Sequence, residues 1–292
     1  MNEIGDEGNG DILRVVGEEP ARSLEAAETL DSVMHAPALE RVARLGEQRR
    51  LHAEAMAPVM KLVEGDAAAV AAAKKLREQP RDFPATARKP RLLGGGRDSL
   101  LVDLAPGLKI LGTPYDFART GPVHGGGASA SADPGTGFVQ AFIGDDEDYG
   151  GGMVASGAVG LSIVPTKSGT VSVRPYLKHS YDWMLFAHFL SASIEGRIGF
   201  FVEEQNGPRV SNTQEAVLFH QTSETFAQGG IETEPFTFDG DVHFAAHSGR
   251  RYTAWFWATL SGDQSGGVTF LSWSHALGNV KMQLLFLGVE LT

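Results

Sequence analysis

Two histidines four residues apart, His243 and His247, fall on one face of a strand with Asp241, and His220 can come from a neighbouring strand; these are the residue types of a metal site. A spacing of four in a strand holds the two rings about 13 Å apart, however, which favours ordinary sheet-surface histidines. A denser set of oxygens lies in GDDEDYGGG, where Asp145, Asp146 and Asp148, with Glu147 among them, stand between a strand end and a glycine run. Loops of this kind hold Ca²⁺ through carboxylates and carbonyls, so these three aspartates are the candidate metal ligands. The spacing fits no EF-hand, and a solvated acidic loop is the competing reading. His124-Gly125-Gly126-Gly127 repeats the oxyanion-loop string of esterases, but the chain has no G-x-S-x-G elbow and lacks the α/β alternation that such enzymes need. No phosphate-binding glycine motif precedes a helix. No catalytic residue and no other cofactor follow from these motifs, and the chain reads away from an enzyme.

Aromatic side chains make the other candidate surface. In YTAWFWATL a period of two places Trp255 and Trp257 on one face and Tyr252 and Phe256 on the other. One set belongs to a core; the other lies under a helical cover, in a subunit interface, or in the open as a glycan-stacking platform. Trp255, Trp257 and Tyr252 are therefore the candidate ligand or interface residues.

The elements that must position these side chains change character near residue 98. Before it the only aromatic is Phe83; after it come all the Trp and Tyr residues and 27 of the 36 glycines. From residue 99 onward, short alternating segments such as FVQAFI, TVSVRPYL and RIGFFVEE are separated by Gly, Pro, Asp and Asn turns, with no intervening helix. The expected fold is mainly β, an antiparallel, jelly-roll-like β-sandwich preceded by an N-terminal helical segment. The organisation predicted is a disordered acidic tail over 1–18, a helical attachment or oligomerisation segment over 19–78, a basic Pro/Gly linker over 79–98 and the sandwich over 99–292. Within the helical segment one helix should end near His35, and Pro37 should open a second that Pro58 kinks or ends. Asp66 should cap a third. WMLFAHFL and QLLFLGVEL are apolar on both faces, which calls for cover from those helices or from a neighbouring subunit.

The runs ASASADPGTG, VGLSIVP with VRPYLKHSYDW, Ala187-His188 and YTAWFW resemble a pattern seen in uncharacterised bacterial β-rich proteins, over about residues 112–275. The resemblance implies one coherent β domain and carries over no functional residue.

Charge and composition narrow the partners. Of the net −11, the β region holds 19 acidic against 10 basic residues, a surface that repels phosphate backbones, so nucleic acid is not an expected partner. The absence of cysteine fits a reducing compartment. MNEIGDEGNGD lacks the features of a secretory signal and no apolar run is long enough to span a bilayer, so the protein is expected to be cytoplasmic as synthesised, with release as part of a particle left open. The function expected is non-enzymatic assembly or recognition, with the sandwich displayed or packed through its helices and the partners being further copies or other protein subunits. A membrane-active, toxin-like protein whose helices leave the sheet is one alternative, and a carbohydrate-binding sandwich is another.

Overall fold

The computed structural model describes residues 12–13, 24–77, 108–144, 149–188, 190–205, 207–238, 240–264 and 273–292. The linker read over 79–98 lies outside the described residues. So does most of the acidic tail, although its Ile12–Leu13 form a short strand, β1, paired with the end of β6.

Three helices come first: α1 (Leu24–Met34), α2 (Ala36–Glu64) and α3 (Ala67–Arg77). Only His35 separates α1 from α2, and its backbone N–H still donates to Asp31 O at 2.9 Å. Pro37 stands at the start of α2, where a proline costs no hydrogen bond. The helix runs through Pro58 to Glu64 instead of ending there. Pro58 is on an exposed face, where water can take the carbonyl that its missing N–H leaves free. Asp66 caps α3, its Oδ1 accepting from the N–H groups of Ala68 (2.9 Å) and Ala69 (3.3 Å).

The strands that follow are β2 (Lys109–Gly112), β3 (Phe117–Thr120), β4 (Ser129–Asp133), β5 (Phe138–Ile143), β6 (Gly151–Pro165), β7 (Gly169–His188) and β8 (Ala192–Glu204). After them come β9 (Gln214–Ser223), β10 (Phe226–Phe236), β11 (Val242–Ala246), β12 (Tyr252–Gln264) and β13 (Trp273–Leu291). Among the described residues they form two antiparallel sheets. Sheet I has the order β6-β12-β8-β9, with β1 and β3 along the free side of β6. In sheet II the order is β4-β5-β13-β7, with β10 and β11 both along the far side of β7 and β2 beside β13. From β5 onward the chain therefore crosses between sheets as a jelly roll does, with β10 and β11 sharing one strand position. The expected antiparallel β-sandwich with a helical N-terminal segment is the fold observed.

The core lies between the sheets and takes alternate residues from each strand, among them Ile194, Ile198, Phe200, Tyr252, Phe256 and Met282. Of the two covers expected for WMLFAHFL and QLLFLGVEL, the helices or a neighbouring subunit, the helices go to the other sheet. Trp183–His188 of WMLFAHFL lie in β7 and QLLFLGVEL lies in β13, both of sheet II, whereas α1 and α2 lie on sheet I. The reason is visible in β6: Met153, Ala155, Val159, Leu161 and Ile163 face the core, while the outward positions alternate with them as Gly152, Val154, Ser156, Ala158, Gly160 and Ser162. Small outward side chains leave room for a helix to sit close to the strand.

Candidate interaction surfaces

Beneath α1 the outer face of sheet I is aromatic. Trp255 and Trp257 project outward from β12 and form one cluster with Phe201 of β8, Ala158 of β6 and Leu30 and Met34 of α1. Each indole lies over a glycine of the adjoining strand. A Cβ added to Gly160 would stand 2.8 Å from Trp255 Cε3, and one added to Gly199 would stand 2.3 Å from Trp257 Cζ2. Leu30 and Met34, each 1% exposed, close the cluster from above. Burial of an apolar side chain of this size stabilises by about 1.5–3 kcal/mol, so the α1 contact is a substantial attachment. Tyr252 points the other way, into the core between the sheets. Trp255, Trp257 and Tyr252 thus meet the chain's own core and helices and present no ring to solvent.

Beneath α2 the same face becomes polar. Val42 and Ala38 pack on Val154, and Val42 rests so close to β6 that a Cβ on Gly152 would overlap it at 1.5 Å. From the same helix Arg41 Nε lies 2.8 Å from Glu195 Oε1 on β8, and farther along Arg49 lies 3.4 Å from Asp263 Oδ1 on β12. Arg49 also donates to the carbonyl of Gln264. Glu195 further accepts from Arg197 and takes His220 Nδ1 at 3.0 Å, and Arg197 reaches on to Glu215. Burial pushes the Glu195 carboxyl up, but Arg197, Arg41 and His220 outweigh it and hold it below the usual carboxylate range.

Two carboxyls on this face are not neutralised to the same degree. Burial raises Asp263 to about 6, and Arg49 offsets only part of the shift. Glu203 of β8 is pushed up by burial to about 7, against the indole N–H of Trp255, which donates to its Oε1 at 2.7 Å, and the charge of Arg119. Its Oε2 has no hydrogen-bond partner. Both carboxyls are charges trapped by the approach of the helices and of neighbouring side chains.

Beyond the sheet, α2 overhangs. The helix is about 43 Å long at 1.5 Å per residue, and its buried side chains, Ala38 and Val42, are in its first two turns. Leu51, Val59 and Leu62 in the later turns are 51%, 42% and 79% exposed. At the margin of the sandwich bounded by β9 and β10, a row of rings passes from Trp183 through Phe219 to Tyr181, with centroid separations of 6.4 and 4.7 Å. Trp183 and Tyr181 are half-buried there, and the Trp183 indole lies over Gly229.

The sequence-derived ion sites fare differently. Asp145, Asp146 and Asp148 lie outside the described residues. His220 is on sheet I and His243 is on sheet II, and Asp241 is held by Arg174 and Ser172. Among the described residues no group of three or more acidic, His or Cys side chains is placed to hold a metal ion. No helix among them is long and apolar enough to cross a membrane. The Arg41, Arg49, Glu195, Glu203 and Asp263 arrangement was missed from sequence. Its signal was the presence of single charges inside otherwise apolar strands.

No protein-family model and no curated protein matches the sequence. Among solved structures, the chain is similar to tailspike protein 4 of bacteriophage CBA120, at 10% identity and a TM-score of 0.19, over 64% of this chain and 19% of that one. It is also similar to a carbohydrate-binding and catalytic module pair of Clostridium thermocellum xylanase 10B, at 8% identity and 0.19, over 63% and 26%. A third likeness is to TmCBM61, solved with β-1,4-galactotriose, at 10% identity and 0.17, over 56% and 86%. The chain thus spans about a fifth and a quarter of the length of the first two, and at these values the likenesses assign no activity.

Proposed function

We propose that this is a non-enzymatic assembly or recognition protein, a jelly-roll body whose helical segment seals one sheet and reaches past it to a neighbour. The observation that supports this reading is the division of α2 into a docked first part and an overhang with exposed Leu51, Val59 and Leu62. A helix with an apolar stripe gains most of its stability from packing, so an overhanging stripe is expected to find a partner surface. Light scattering on the purified chain across its soluble concentration range tests the proposal. A mass that rises above the 31.2 kDa of one chain is expected, and a monomer throughout would overturn it. Liposomes should stay intact, in contrast to the toxin-like alternative.

Glycan binding is a second reading, favoured by the half-buried Trp183 and Tyr181 beside Phe219, because sugar faces stack on such rings. Retention on immobilised β-glycans that Trp183→Ala removes would support it, and binding unaffected by that change would refute it for this margin. A Ca²⁺ ion at Asp145, Asp146 and Asp148 would be an accessory to either reading.

A further inference from the structure

In the overhang, Leu51, Ala55, Pro58 and Leu62 follow one another at intervals of four, three and four residues, and all four are exposed. At about 100° per residue they make a single stripe about 60° wide, with Val59 at its margin. Met56, Met60 and Val63, on another side of the helix, are half-buried, and α3, with Ala73 4% exposed, is in contact with α2. The stripe is therefore not the surface that α3 uses.

The 4-3-4 spacing reads the same in both directions. Two α2 helices that meet antiparallel, about a two-fold axis between Met56 and Ala57, set Leu51 against Leu62 and Ala55 against Pro58. The same register brings Lys61 of one copy alongside Glu54 of the other on one flank of the stripe, whereas a parallel pairing puts these two residues on opposite flanks and leaves them unpaired. Four side chains, of which Leu51 and Leu62 are 51% and 79% exposed, make a patch smaller than the roughly 1,000 Å² of a stable interface, which suits a reversible contact and not a permanent one. We propose that the overhang of α2 is a homodimerisation surface whose occupant is the same helix of a second copy of this chain, antiparallel; the proposal rests on the assembly reading and deepens it.

The chain has no cysteine, so single cysteines report the geometry without interference. About the proposed axis, the two copies of position 51 stand about 16 Å apart, and each lies opposite position 62 of the partner. Leu51→Cys and Leu62→Cys, each alone, should form little disulfide-linked dimer under mild oxidation, and an equimolar mixture should form it readily. Strong cross-linking of either variant alone would overturn the antiparallel arrangement. The double variant Leu51→Glu, Leu62→Glu should stay monomeric at concentrations where the parent associates, with an unchanged melting temperature because both positions are exposed. If the parent associates but the double variant does so equally, this surface is wrong while the assembly reading stands. If the parent is monomeric throughout, both fail, and a partner of another kind becomes the occupant to seek.

Discussion

Replacing Glu203 with glutamine should make the protein more stable at pH 8 and leave it nearly unchanged at pH 5. The carboxyl is 2% exposed, has one oxygen on the Trp255 indole and the other without a partner, and is raised by burial from 4.5 to about 7. A group whose folded pKa lies above its unfolded value binds more protons in the native state. Its favourable contribution is complete below the unfolded value and is lost as pH rises from about 4.5 through about 7. At about 1.4 kcal/mol per unit, a shift of this size corresponds to an upper value of about 3 kcal/mol, and local relaxation brings the expected effect to about 1–3 kcal/mol. Glutamine keeps the acceptor for Trp255 and removes the charge. Any penalty from its new N–H donors is independent of pH, so the difference between the two pH values isolates the electrostatic part. Denaturant unfolding of parent and variant at pH 5 and pH 8 measures it. If the glutamine variant shows the same pH slope as the parent, the reasoning about a trapped charge is refuted.

Gly152→Ala should destabilise by about 1–3 kcal/mol, because the new methyl overlaps Val42 and lifts α2 from β6. Val42→Ala in the same chain should recover part of that loss, and an unaffected single variant would show that the helix does not sit where it is described. Leu30→Ala opens a cavity above Trp255 and Trp257 and should cost about 2–5 kcal/mol, with a red-shifted tryptophan emission. No change in either measurement would mean that α1 is not the cover of those rings. Millimolar Ca²⁺ is expected to leave the melting temperature unchanged, since the acidic loop matches no ligand spacing; a rise that Asp146→Asn abolishes would assign an ion to Asp145, Asp146 and Asp148.

Much of the local structure was legible along the chain. Period-two alternation and turn residues identify the strands, Pro37 and Asp66 mark helix starts, and the pairing of Trp255 with Trp257 opposite Tyr252 follows from the two-residue repeat alone. These features depend on neighbours in sequence, which is why they can be read there. Pro58 does not end α2, because a proline on a solvent-facing side of a helix removes a hydrogen bond that water replaces. The choice of sheet that receives the helices was a tertiary matter. WMLFAHFL and QLLFLGVEL are apolar on both faces, but α2 goes to the small outward positions of β6, which allow close approach, and α1 to the outward indoles of Trp255 and Trp257. In the same way, Arg41, Arg49, Glu195, Glu203 and Asp263 are single charges scattered over more than 200 residues, and only the crossing of α2 over β8 and β12 turns some of them into ion pairs. Sequence determined which elements form and which faces are apolar, because propensity and periodicity are local. Tertiary structure decided which face meets which and which charges lose their water, because desolvation depends on what another part of the chain brings near.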